Sequence, residues 1–205
     1  MTNKFIETSL NELYPNASCE LKYTKDYELL LSTMLSAQTT DKRVNSVMIP
    51  IYKEYNTLEK LSTLSLSEVT QKLMTLGFYK AKALYFIKIV KVLSSGPYDL
   101  SRRQFLESLS GVGRKTANVI LNEIYNEPFI AVDTHVKRVS KILGIAEDKD
   151  NEKVIEEKLM KFFLTCNTNK IGKQLVLFGR YTCTSNKPNC KDCPFNNKCK
   201  KFINK

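Results

Sequence analysis

Leu109-Ser-Gly-Val-Gly-Arg-Lys-Thr-Ala-Asn-Val119 reads as the end of one helix, a tight Gly-Val-Gly turn and the start of another. Two other readings of the same residues fail. A P-loop needs another Gly at a fixed distance ahead of a Gly-Lys-Thr run, and Arg114 interrupts that run. A dinucleotide fingerprint needs a strand before Gly111 and a third Gly where Thr116 stands. Glycines give the turn backbone conformations closed to other residues and expose N–H groups where a helix begins. Such a concave set of amides holds a phosphate without reading a base. Gly111, Val112, Gly113 and Arg114 are therefore candidate nucleic-acid backbone contacts, with a plain helix–helix turn as the competing reading.

Lys115 follows immediately and is the candidate nucleophile. A free lysine, with a pKa near 10.4, is only about 0.1% neutral near pH 7.4, so nucleophilic use calls for a pKa of about 7–8. Arg114, Lys137 and Arg138 are the cations that could depress it; the alternative is a surface lysine that binds phosphate. Downstream, Ala131-Val-Asp-Thr-His135-Val-Lys-Arg138 places Asp133 at a helix N-cap position, followed by the only histidine of the chain and two cations. A carboxylate there could take a proton from an amine or support an oxocarbenium-like sugar.

Outward from the turn, helix follows helix. Asp26–Gln38 opens on a capping Asp and carries Leu30, Leu31, Met34 and Leu35 on one face. Asp41–Tyr55 is helical but bent or broken at Pro50, and a Ser65–Glu68 capping box leads Val69–Leu76 to a stop at Gly77. Ala81–Leu93 is strongly apolar, and a Ser101–Gln104 capping box leads Gln104–Leu109. Thr116–Tyr125, Thr134–Leu143, Asn151–Phe163 and Lys170–Arg180 complete the series. Period-two alternation never lasts, so the fold class is all-α, jointed near Asn126–Pro128 and ending in a cysteine-bound loop.

Composition agrees with a folded, basic protein. Of 205 residues 42% are apolar, and Lys plus Arg exceed Asp plus Glu by 32 to 21, a net +11. That excludes a disordered polymer, and no apolar run reaches the length of a membrane helix. The N-terminus lacks the apolar block of a secretory leader, so a cytoplasmic, nucleoid-associated location is expected. Residues 182–205 carry six basic side chains against one acidic, a bias suited to a polyanion. The same tail holds Cys183, Cys190, Cys193 and Cys199, spaced C-x6-C-x2-C-x5-C. In a reducing compartment clustered thiolates point to metal rather than disulfides, and by ligand type alone zinc and iron–sulfur both remain open. Cys19 and Cys166 stand apart and read as small buried residues.

Taken together, the Leu109–Val119 turn with Lys115, Val132-Asp133-Thr134-His135 and the four cysteines, in this order, resemble endonuclease III, a family of helix–hairpin–helix DNA glycosylases. Leu35-Ser-Ala-Gln-Thr-Thr-Asp41 and Gly77-Phe-Tyr-Lys-Ala-Lys82 extend the likeness over essentially the whole chain. The resemblance implies two helical lobes with a DNA-binding cleft between them. Residues 20–130 would form the helix–hairpin–helix domain, and 1–19 with 131–205 the cluster domain, its loop at 183–199. It implies a structural 4Fe–4S cluster on the four cysteines, a DNA-touching loop with Lys187, and contacts from His135. It further implies removal of oxidised pyrimidines from damaged double-stranded DNA by a monomer, with Lys115 attacking the sugar, Asp133 assisting, and β-elimination cutting the strand. Gln38 matches the residue that fills the gap left by the base, and Phe78 the wedge, which is often Leu. Ser110 stands where the family usually has Pro. An adenine-DNA glycosylase, or a non-catalytic iron–sulfur DNA-binding module, is the alternative; neither needs Lys115 and Asp133 together.

Overall fold

A computed structural model describes residues 1–200. It is all-helical, with no strand among the described residues and no helix there long and apolar enough to cross a membrane. In chain order the helices are α1 (Asn3–Leu13), α2 (Asp26–Leu35), α3 (Asp41–Glu54), α4 (Leu58–Ser62), α5 (Leu66–Lys72), α6 (Tyr79–Ser94), α7 (Arg103–Ser108), α8 (Arg114–Tyr125), α9 (Thr134–Ile142), α10 (Glu152–Phe162) and α11 (Thr168–Leu177). A π-helical turn, Phe178–Thr182, continues α11. The chain forms two compact units: Cys19–Tyr125, and Met1–Ser18 with the chain from Asn126 on.

The Cys19–Tyr125 unit is built around α2, where every residue from Tyr27 to Leu35 is buried. Its apolar residues cover more than the one face expected, which is the signature of a central helix rather than a surface one. Leu29, Leu30, Leu31 and Leu35 are each 0% exposed, and each contributes about 1.5–3 kcal/mol of burial. Helix α2 does not open on a capping Asp. Lys25 is the cap residue, and the buried Glu28 reaches back to accept the Thr24 and Lys25 N–H groups at 2.7 and 3.3 Å. Helix α3 runs unbroken through Pro50, because that residue lies on the solvent face while Val44, Met48, Ile51 and Tyr52 anchor the opposite face. The Ser101 capping box does not form. Ser101 gives both its N–H and its hydroxyl to Asp99, at 2.9 and 2.5 Å, and α7 starts without a side-chain cap. Ser65 and Glu68 do form theirs, with Ser65 N–H to Glu68 Oε2 at 2.8 Å.

The other unit packs α1, α9, α10 and α11 around Ile6, Leu10, Val136, Val139, Leu159 and Phe178, all at most 1% exposed. Helix α1 lies ahead of the first helix read from the sequence; Thr2 caps it through the Phe5 N–H at 3.3 Å. Buried Gln174 of α11 ties its end down, donating to the Leu10 and Tyr14 carbonyls at 3.2 and 3.1 Å. Asn151 caps α10 and Gly144 ends α9 at φ +77°, as the sequence pattern indicates.

Candidate functional site

The Gly-Val-Gly turn joins α7 to α8 and is braced from both sides. Arg103 of α7 donates to the fully buried Asn118 of α8 at 2.7 Å, which fixes the two helices. Gly111 has φ +78°, and a Cβ built on it would lie 2.6 Å from Tyr85 Cδ2 of α6. That position therefore penalises any other residue on two grounds, handedness and space. Gly113 differs: its backbone lies outside the left-handed region and nothing stands within 4 Å of an added Cβ. Its open flank lies beside the first turn of α8, whose leading N–H groups have no intrahelical carbonyl to take them up. Lys115 sits in that turn, exposed, and its amine makes no hydrogen bond or ion pair among the described residues. Arg114 beside it is also exposed.

In the same unit two further loops meet. Gln38 and Phe78 are both in the left-handed region, at φ 53° and φ 57°, and both are exposed, Phe78 to 68%. The left-handed residue at the head of α6 is thus Phe78, not the preceding glycine, and α5 ends earlier than expected, at Lys72. A Cβ on Gly77 would lie 3.7 Å from the Gln38 carbonyl, so the two loop tips are neighbours. Left-handed backbone is costly for a bulky side chain and gathers at functional positions. Beneath them Lys82, only 4% exposed, donates to Thr39 Oγ1 at 2.7 Å; burial pushes its pKa below the usual lysine value.

In the second unit Asp133 is the N-cap of α9, with Oδ1 accepting the Val136 N–H at 2.8 Å. Its other carboxylate oxygen takes no hydrogen bond among the described residues. His135 is half-buried, its Nδ1 without a partner among the described residues, and α9 meets the π-helical turn so closely there that a Cβ on Gly179 would fall 2.8 Å from His135 Cβ. Lys137 and Arg138 are not spare cations. Lys137 pairs with Glu152 at 2.7 Å, and Arg138 donates to the Gly179 and Cys183 carbonyls at 2.7 and 2.8 Å. Arg138 thereby ties α9 to the start of the cysteine loop.

Cys183, Cys190, Cys193 and Cys199 line one cavity of about 450 Å³, closed on its apolar side by Leu143, Phe178 and Phe195. Phe178 and Phe195 meet edge-to-face at 5.2 Å. Burial pushes the Cys193 thiol up, with Cys199 and Cys190 adding to the effect. Among the described residues no three His, Cys, Asp or Glu side chains gather into a set that could hold a single ion. Four thiols lining one cavity are a donor set of the kind that holds zinc or an iron–sulfur centre. Lys187, exposed, stands on the rim of the same cavity. Cys19 and Cys166 are half-buried rather than buried.

Lys82, Thr39, Tyr85 and the loop-binding role of Arg138 have no counterpart in the sequence reading. Lys82 did leave a trace, as a charge on the apolar stripe it shares with Phe86, Ile89, Val90 and Leu93.

Residues 31–164 match the HhH-GPD superfamily of base excision DNA repair proteins. Endonuclease III of Bacillus subtilis is 36% identical over 202 residues, covering 96% of this chain and 91% of the relative, and that of Escherichia coli K12 is 39% identical, covering 95% and 92%. A trapped endonuclease III–DNA covalent intermediate superimposes with a TM-score of 0.91 at 35% identity, covering 100% of this chain and 98% of that one. The chain belongs to the endonuclease III family.

Proposed function

We propose that this protein is a base excision repair DNA glycosylase and abasic-site lyase that acts on oxidised pyrimidines in double-stranded DNA. The observation that carries the reading is an exposed Lys115, unpaired among the described residues, in the first turn of α8, directly after a braced hairpin with an open flank at Gly113. A phosphate held by the hairpin amides brings a deoxyribose within reach of that amine. The Lys115 amine attacks C1′, the C1′–N glycosidic bond breaks, and the base departs with the electron pair and a proton. Opening of the sugar ring then gives a Schiff base between Lys115 and C1′. Loss of the C2′ proton to a base and departure of the 3′ phosphate complete the strand cut by β-elimination. Asp133, with one oxygen capping α9 and the other unengaged among the described residues, accepts the amine's proton or balances positive charge on the sugar. Extrusion of the damaged nucleotide falls to Gln38, filling the vacated place, and Phe78, parting the neighbouring bases. The hairpin residues Gly111 to Arg114, with His135 and Lys187, contact the DNA backbone.

The four cysteines are assigned to a 4Fe–4S cluster, and the cavity they line fits it. When bound, the cluster supplies a structural cross-link that holds the loop carrying Lys187. The two units are taken as the helix–hairpin–helix domain and the cluster domain. The adenine-specific and non-catalytic alternatives are not favoured, since neither accounts for Lys115 together with Asp133.

Borohydride added during reaction with a thymine-glycol or abasic duplex is expected to trap a covalent protein–DNA adduct. Lys115→Gln abolishes the adduct and strand cleavage; an adduct that persists in that variant rejects Lys115 as the nucleophile.

A further inference from the structure

Lys82 is hard to justify as a core residue. It occupies the apolar stripe of α6, is 4% exposed, and makes no ion pair among the described residues; its one side-chain partner is a neutral hydroxyl, Thr39 Oγ1, at 2.7 Å. An ammonium so placed loses most of its hydration for a single hydrogen bond. A methionine would fill the same space without that cost.

What the lysine touches suggests why it is there. Its backbone N–H gives the Phe78 carbonyl the ordinary first-turn bond of α6 at 3.1 Å, and its side chain holds Thr39, the residue after Gln38. The lysine side chain thus ties the Gln38 loop to the head of α6, where Phe78 is the N-cap, and the two left-handed tips stand side by side at Gly77. Strained conformations persist where the surroundings over-determine them. We propose that Lys82 is a positioning residue that locks the Gln38 and Phe78 loops into one rigid wedge, so that parting the base stack and filling the vacated place occur as a single act. The proposal rests on the reading of Gln38 and Phe78 as the DNA-inserting pair. Its physical content is preorganisation: an exposed aromatic tip on a loose loop must be ordered at the moment of insertion, whereas a locked one has been ordered by folding.

Two properties separate a positioning role from a structural one. Lys82→Met keeps side-chain volume and removes a buried charge, so it leaves the melting temperature unchanged or raised. The same variant acts poorly where a base must be forced from a duplex. The experiment uses full-length, cluster-containing protein under single-turnover conditions. A thymine-glycol lesion is presented in a fully paired duplex and, separately, unpaired in a one-nucleotide bulge. Lys82→Met is expected to slow the duplex reaction about tenfold, the order of one charge-assisted hydrogen bond, while changing the bulge reaction less than about twofold. Fluorescence of 2-aminopurine beside the lesion rises less in the variant, reporting incomplete unstacking. Thr39→Val reproduces the loss, and the double variant is no worse than either single one, because both remove the same bond. An unchanged duplex-to-bulge ratio in Lys82→Met overturns the proposal, as does an equal loss on both substrates. Should Lys82→Met not fold, the ratio for Thr39→Val decides in the same way. The Gln38→Ala/Phe78→Ala protein marks the difference from failure of the underlying reading. If it too keeps the wild-type ratio, these loops are not the inserting pair and the proposal falls with them. If it loses the ratio while Lys82→Met keeps it, the proposal alone fails.

Discussion

Gly111 and Gly113 look equivalent in the sequence, yet the structure predicts opposite consequences for replacing them with alanine. At Gly111 the φ of +78° costs an alanine about 1–2 kcal/mol, and its Cβ would sit 2.6 Å from Tyr85 Cδ2 and 2.9 Å from Cγ. Contacts under 3 Å force a shift of ring or backbone, an overpacking cost of about 1–3 kcal/mol. Gly111→Ala is therefore expected to lose about 2–5 kcal/mol, a fall in melting temperature of roughly 4–20 °C for a chain of this size. At Gly113 nothing lies within 4 Å of the added carbon, and reduced freedom of the unfolded chain gives Gly113→Ala unchanged stability or a gain of about 0.4–1 kcal/mol. Its cost falls on binding: the methyl occupies the flank where a phosphate would approach. Affinity for a duplex with an abasic-site analogue, read by fluorescence anisotropy, is expected to drop about tenfold. Thermal denaturation followed by circular dichroism measures the stability half. Adding Tyr85→Ala to Gly111→Ala removes the collision but not the backbone cost, so the pair is non-additive by about 1–3 kcal/mol. Additive effects would refute the packing account of Gly111, and wild-type affinity in Gly113→Ala would refute the phosphate grip.

Arg138→Met strips the donors from the Gly179 and Cys183 carbonyls, and is expected to cost about 1.5–3 kcal/mol and to lower iron content below the roughly four per chain that the proposed 4Fe–4S cluster predicts for the unaltered protein. Equal iron and an equal melting temperature would contradict that. Lys187→Ala weakens DNA binding with little sequence preference and reduces the slope of log affinity against log salt by roughly 0.9; an unchanged slope removes Lys187 from the interface. Asp150 accepts from Lys158 Nζ and the Glu147 N–H, both at 2.7 Å, and these bonds hold its pKa below the usual carboxylate value. A carboxylate with a depressed folded-state pKa contributes stability above its unfolded value, near 3.9, and loses it as pH falls through the folded value. The urea midpoint of Asp150→Asn therefore lies below wild type at pH 6, and the gap closes on acidification below about pH 4. A gap independent of pH would show that the charge does not matter.

Much of the fold was legible because local chemistry and tertiary context agree. Ser65, Asn151 and Asp133 cap helices because a short oxygen-bearing side chain satisfies a first-turn N–H wherever the helix ends up. The misreadings arose where two local options were close in free energy and packing decided. Asp26 was a plausible cap until Glu28, buried under the Thr24–Lys25 turn, accepted those amides instead. Ser101 had Gln104 available but found Asp99 nearer. Pro50 removes a helical hydrogen bond on the exposed face of α3, while four buried side chains on the other face keep α3 intact. None of these choices is contained in a spacing rule.

The candidate site divides along a similar line, and for a reason that bears on function. Residues with scarce chemistry were readable: a lysine after two glycines, four thiols at short intervals, a carboxylate before a histidine. Conformation was not, since no propensity places Phe78 at φ 57° or Gln38 at φ 53°. A lysine on an apolar stripe reads as a defect until its partners are known. Strain and buried charge are different penalties, and a fold selected only for stability has no reason to incur both in one place. Here Gln38, Phe78 and Lys82 incur them within one small region of the Cys19–Tyr125 unit. Each violation alone could be incidental. Their coincidence, joined by the Lys82–Thr39 bond at the head of α6, is what a rigid tool for prising bases apart requires: a protruding aromatic, a polar filler beside it, and a strut that keeps both from yielding under load.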